Sequence, residues 1–180
     1  THKTQGRLVI IGGAEDRKQD RIILRKFLEL SGGPNAKIRF VTAASGVPEA
    51  VAQSYTQAFG ELGAQDFAVL PLSDRDSAFS DSLRQDILQA DGIFMSGGDQ
   101  SRLMAAIWET PVLGALHQAF HFKGACIGGT SAGAIVGALL ANGATPATML
   151  QGLAGDLPGI RPIRYREPRG PSARGEPASG

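Results

Sequence analysis

At 180 residues the chain is long enough for one domain with a single apolar core and too short for two ordinary ones. Its 18 Lys and Arg against 17 Asp and Glu leave a formal charge of +1, so no overall field recruits nucleic acid or an anionic membrane. The single cysteine, Cys126, excludes an internal disulfide framework, and its apolar surroundings predict an inert core thiol.

Neither a run of about 18 apolar residues nor a charged-then-apolar N-terminus is present, so the expectation is a soluble, cytoplasmic protein. Leu8 to Ile11 reads as a buried strand ending in Gly12-Gly13. Ile22, Ile23, Leu24, Phe27, Leu28 and Leu30 fall on one helical face, stopped by Ser31-Gly32-Gly33-Pro34. The unit then repeats. Ile38 to Val41 is a strand, Pro48 to about Leu62 a helix with proline in its first turn, and Phe67 to Leu70 a strand. Ser80 to Gln89 follows as a helix and Gly92 to Met95 as a strand. Asp99 to Trp108 and Pro111 to Phe122 are two helical pieces, Ala125 to Ile127 is a fifth strand, and Ser131 to Leu140 is the helix it feeds.

Such alternation implies an α/β fold, a mostly parallel, doubly wound sheet with helices on both faces. Ligands in these sheets sit outside the carboxyl ends of the strands. Three glycine-rich turns are predicted there, at Gly12-Gly13, Gly97-Gly98 and Gly128-Gly129. The predicted domain spans 1–160. Residues 161–180 differ in kind, with five arginines, four prolines and three glycines and almost no apolar periodicity, and read as a disordered tail.

The stretch Gly129-Thr130-Ser131-Ala132-Gly133-Ala134 carries the strongest chemical signal. A serine framed by small residues at a strand-to-helix junction fits a nucleophile elbow, with the Ala132 amide at a helix N-terminus suited to an oxyanion. The competing reading is tight packing with the serine as a helix cap. In Met95-Ser96-Gly97-Gly98-Asp99-Gln100, two glycines after a strand let backbone approach a substrate, so an amide there can complete an oxyanion hole and Asp99 and Gln100 can line the pocket. Asp99 equally suits a helix cap. Gly12-Gly13-Ala14-Glu15-Asp16 lacks the spacing and the cations of a phosphate-binding turn. His117 and His121 have metal-compatible spacing but no third ligand, and they lie on the helix before the serine's strand, directed away from its tip.

Taken together, Ile10 to Asp16, Met95 to Gln100 and Gly128 to Ala134 resemble the cyanophycinase family, part of the serine peptidase clan that includes dipeptidase E. The resemblance runs over about residues 7 to 135. It implies a flavodoxin-like or class I glutamine amidotransferase-like three-layer sandwich and a cytoplasmic homodimer without metal or organic cofactor. It also implies a peptide substrate, cyanophycin, a poly-aspartate backbone with arginine on each side chain, hydrolysed to β-Asp-Arg dipeptides. By the same resemblance Ser131 matches the nucleophile, Gly98 and Ala132 the oxyanion-hole amides, and Gln100 a pocket residue. The family's later segment, which carries the histidine base, has no counterpart in 136–180, and no histidine follows residue 121. A truncated or frame-shifted product is expected, disabled in this form and with an exposed sheet edge; a variant with its base from elsewhere stands as the other explanation. An aspartyl dipeptidase and a non-catalytic ligand-binding relative are the alternative functions.

Overall fold

The computed structural model describes residues 5–11 and 21–143. Strands and helices alternate as β1 (Leu8–Ile11), α1 (Ile22–Ser31), β2 (Lys37–Val41), α2 (Pro48–Glu61), β3 (Asp66–Val69), α3 (Asp81–Gln89), β4 (Gly92–Met95), α4 (Gln100–Ile107), α5 (Pro111–Lys123), β5 (Cys126–Thr130) and α6 (Ala132–Ala141). Local chemistry sets several ends. Pro48 and Pro111 occupy first-turn positions, Ser80 Oγ accepts from Leu83 N at the start of α3, and Gly32 closes α1 at φ 122°. A 3-10 turn at Ser77–Phe79 was not foreseen from the sequence. The proposed tail at 161–180 and the Gly12-Gly13 turn lie outside the described residues.

The five strands form one sheet in the order β1-β5-β4-β2-β3, and every pairing is parallel. The alternation of side chains along each strand divides the core into two layers. Ile38, Phe40, Phe94 and Cys126 face α1 and α2, where Phe27, Tyr55 and Phe59 build an aromatic cluster; the Phe27 and Phe94 rings meet edge-on at 5.1 Å. Val41, Ile93, Met95 and Ile127 face the other way, onto α3, α4, α5 and α6. The expected helix–sheet–helix sandwich is therefore present. The β1-to-β2 and β2-to-β3 connections run one way along the sheet and use one face. Those from β3 to β4 and from β4 to β5 run back and use the other, as right-handed crossovers require.

Among the described residues one charged side chain is buried at the sheet. Arg39, 8% exposed, donates from Nε to Asp86 Oδ1 and from Nη1 to Asp66 Oδ1, both at 2.7 Å. Burial opposes its charge, but these two hydrogen bonds outweigh it and hold the guanidinium pKa above its ordinary value. No helix among the described residues is long and apolar enough to cross a membrane.

Candidate active site

Strand β5 is longer than its apolar residues suggest. The predicted turn Gly128-Gly129 is strand, buried and paired with β1 and β4, so the turn begins only at Ser131. Glycine is required there by close approach rather than by a turn. A Cβ on Gly128 would stand 2.7 Å from the Phe27 ring, and one on Gly129 would stand 2.4 Å from the backbone of Gly133 in α6. Gly133 in turn has the Met95 carbonyl oxygen 2.4 Å from where its own Cβ would be. The two glycines flanking the serine thus let α6 lie directly on β5 and β4, and the chain reverses in a single residue.

That residue is Ser131, at φ 48° and ψ −113°, a backbone conformation that an L side chain adopts only under strain. Its amide donates to Ile11 O at 3.2 Å and its carbonyl accepts from Ile135 N at 3.1 Å, which anchors the turn at both ends. The side chain caps nothing, so the helix-cap alternative does not apply. Ser131 is exposed while Thr130 before it and Ala132, Gly133 and Ala134 after it are buried. The hydroxyl is lifted out of the fold on a rigid corner.

The neighbouring strand tip closes against this corner. A Cβ on Gly97 would lie 3.2 Å from Thr130 Oγ1 and 3.4 Å from Ser131 Cβ, so the β4–α4 loop runs alongside the serine. Gly98, exposed at φ 138°, has the Ala44 carbonyl oxygen 2.1 Å from its ideal Cβ position. No other residue fits. Among the described residues neither the Gly98 amide nor the Ala132 amide has an acceptor, and Ala132 opens α6 with the unpaired N–H groups of a helix N-terminus. Asp99 is the α4 cap, its Oδ1 accepting from Ser101 N at 2.8 Å while its amide donates to Ala44 O at 2.9 Å. Gln100, half-buried, is the first residue of α4. Ser96, buried just before the glycines, has a hydroxyl with no hydrogen-bond partner among the described residues.

Neither described histidine reaches the serine. His121 Nε2 lies 2.8 Å from Leu140 O, and the His117 ring stacks on it at 5.3 Å. Leu140 is nine residues down α6 from Ser131, about 13 Å along the axis, so both imidazoles sit at the far end of that helix. Cys126 is buried in β5, and burial pushes its thiol up to about 11.

A second feature had no signal of its own in the sequence. A cavity of about 460 Å³ opens between the tips of β2 and β3, lined by Thr42, Ser45, Glu49, Val69, Leu72 and Arg102 among others. Arg102, one turn into α4, donates from Nη1 to Ser45 O at 3.0 Å and so bridges the β4 and β2 loops.

The sequence pattern of Peptidase family S51 matches residues 8–149. The chain belongs to peptidase family S51. Similar S51 relatives include a cyanophycinase from Synechococcus elongatus, 41% identical over 133 residues that make up 73% of this chain and 41% of that protein. A cyanophycinase from Geminocystis herdmanii is 36% identical over 129 residues, 72% of this chain and 47% of that protein. This S51 chain thus spans less than half the length of the curated relatives it matches. The crystal structure of a peptidase from an acI-B1 Actinobacterium superposes with a TM-score of 0.62 at 23% identity, covering 73% of this chain and 56% of that one, a likeness of fold.

Proposed function

We propose that this chain carries the nucleophile and oxyanion-binding part of a cyanophycinase-like serine peptidase. The observation that carries the reading is the strained, exposed Ser131 with Gly97 packed against it. In this proposal Ser131 Oγ attacks the scissile carbonyl carbon, and the new oxyanion is held by the amides of Gly98 and Ala132. The amine then leaves with a proton, and water releases the acyl group. Gln100 and the backbone around Asp99 wall the substrate side, with the Asp99 carboxylate fixing the α4 start. The chemistry calls for no metal or organic cofactor. The substrate is cyanophycin, the product β-Asp-Arg, and the working assembly a cytoplasmic homodimer. Support for that substrate comes from the relatives named cyanophycinase.

The proton of Ser131 needs a base, and His117 and His121 are placed elsewhere. A non-catalytic ligand-binding relative is therefore the second reading. Fluorophosphonate labelling with the site mapped by mass spectrometry tests the first. Slow modification at Ser131, lost in Ser131→Ala, is expected; a Ser131 that labels no faster than the other exposed serines overturns it. Release of β-Asp-Arg from cyanophycin is expected at or near background for both proteins. Clear Ser131-dependent release would reveal a base that neither described histidine provides.

A further inference from the structure

The Ser96 hydroxyl has no part in the chemistry derived so far, and burying it is costly. At the tip of β4 Ser96 is 1% exposed, and its Oγ has no hydrogen-bond partner among the described residues. A hydroxyl taken from water without a partner destabilises a fold, and alanine in its place would avoid that cost. The residue stands directly before Gly97 and Gly98, the segment that lies against the serine corner.

Its neighbours follow from strand register. Val41, Met95 and Gly129 are in register across β2, β4 and β5, so Thr42, Ser96 and Thr130 form the next row. The ladder continues that far, because Ser96 N donates to Val41 O at 2.9 Å and Thr130 pairs with Ile11 of β1. Side chains two residues apart on a strand share a face, which sets all three hydroxyls on the side of Phe40, Phe94 and the Phe27-facing Gly128. Thr42 and Thr130 are buried as well, at 7% and 5% exposure. Hydroxyls opposite each other on paired strands come within hydrogen-bond reach by rotation about χ1. Of the two neighbours, Thr130 belongs to the serine corner: it precedes Ser131, and its Oγ1 lies 3.2 Å from the ideal Cβ position of Gly97.

We propose that Ser96 is a positioning residue for the oxyanion-binding loop, and that its hydroxyl takes up a hydrogen bond with Thr130 Oγ1 as the Gly98 amide engages the oxyanion. The inference rests on the peptidase reading. In the free chain Ser96 Oγ is without this bond. A bond made only in the reacting state lowers the barrier instead of tightening ground-state binding. It ties the Gly97-Gly98 segment to the strand that carries Ser131, while the contact of Gly98 with Ala44 holds the same segment from the β2 side. Ser96 touches no reacting atom, and no proton passes through it.

Fluorophosphonate labelling of the full 180-residue chain, read as a second-order rate at Ser131 beside urea unfolding, tests this. The phosphoryl oxygen of the probe takes the place of the oxyanion. Ser96→Ala should label about tenfold more slowly, the worth of one hydrogen bond in the transition state, yet be at least as stable as the parent. Ser96→Thr keeps the hydroxyl on a strand-favouring side chain and should label at the parent rate. Thr130→Val should slow labelling about as much as Ser96→Ala, and the double variant should lose nothing further. Thr42→Val, on the far side of Ser96, should label as the parent does. The inference is overturned if Ser96→Ala labels at the parent rate, if its rate falls only in step with its stability, if Ser96→Thr is as slow as Ser96→Ala, or if the effects at Ser96 and Thr130 simply add. A loss seen in Thr42→Val and not in Thr130→Val overturns it too. Ser131-selective labelling that is indifferent to Ser96 sinks the inference alone, while a parent Ser131 that labels no faster than the other exposed serines sinks the peptidase reading and the inference with it.

Discussion

The carbonyl oxygen of Ala44 fills the place where a side chain of Gly98 would begin, 2.1 Å from the ideal Cβ position. The same oxygen accepts the Asp99 amide at 2.9 Å, so the β2 and β4 loops are locked backbone to backbone. Gly98→Ala forces both a positive φ and this collision. A loss of about 2–3 kcal/mol in urea unfolding is expected, with Ser131 labelling falling by more than the stability loss explains. A variant as stable and as reactive as the parent would mean the loop is free to move.

Ser131→Gly removes the backbone strain at φ 48° together with the hydroxyl. Stability should rise by about 1 kcal/mol while labelling disappears, the trade expected of a residue held in place for reactivity. Thermal melts of Ser131→Gly beside Ser131→Ala measure it, since the alanine variant keeps the strain.

Two helical glycines should respond in opposite directions. Gly114 in α5 has nothing within 4 Å of its ideal Cβ, so Gly114→Ala should stabilise by about 0.5–1 kcal/mol through helix propensity. Gly133→Ala in α6 meets the Met95 backbone and should destabilise by about 3 kcal/mol or prevent folding. Equal effects in chemical denaturation would contradict the packing of α6 on the strands.

Burial in β5 raises the Cys126 thiol from 9.0 to about 11. The native state then binds the thiol proton more tightly than the unfolded chain, so this stabilisation is complete below pH 9.0 and is lost as pH rises through about 11. Unfolding followed across that window should show a decline of order 2 kcal/mol that Cys126→Ala lacks. At neutral pH the native thiol should resist iodoacetamide.

Arg39 lies between two carboxylates that remain partly exposed, with Asp66 at 42% and Asp86 at 37% side-chain accessibility. Arg39→Ala leaves both without their cation beside the sheet and should cost about 2–3 kcal/mol, less than a fully enclosed pair because water reaches the acids. Urea unfolding at neutral pH reads the difference.

Much of the scaffold was legible because β-branched runs alternated with helical apolar faces, and prolines and glycines marked the ends. Strand β5 was cut short for a physical reason: Gly128 and Gly129 carry no apolar signal, and only the approach of Phe27 and α6 makes glycine obligatory inside a strand. Ser131 stood out because its small neighbours are contiguous in sequence. Asp99 was ambiguous, and its cap role became visible with the Ser101 amide in place. The cavity at the tips of β2 and β3 could not be foreseen, since Glu49 and Arg102 on its lining stand on different helices far apart in the sequence. Pro48 placed Glu49 in a first turn, and Asp99 placed Arg102 one turn into α4; those were the available signals.

The contacts of Gly98, Gly129 and Gly133 are with main chain, and a peptide unit has no rotamers through which to yield. The position of the Ser131 corner is therefore set by backbone geometry more than by how the side-chain interior happens to be filled. Over evolutionary time the aromatic and aliphatic layers are free to exchange one residue for another of similar volume without displacing the serine. A single added methyl at the contact points is what would move it.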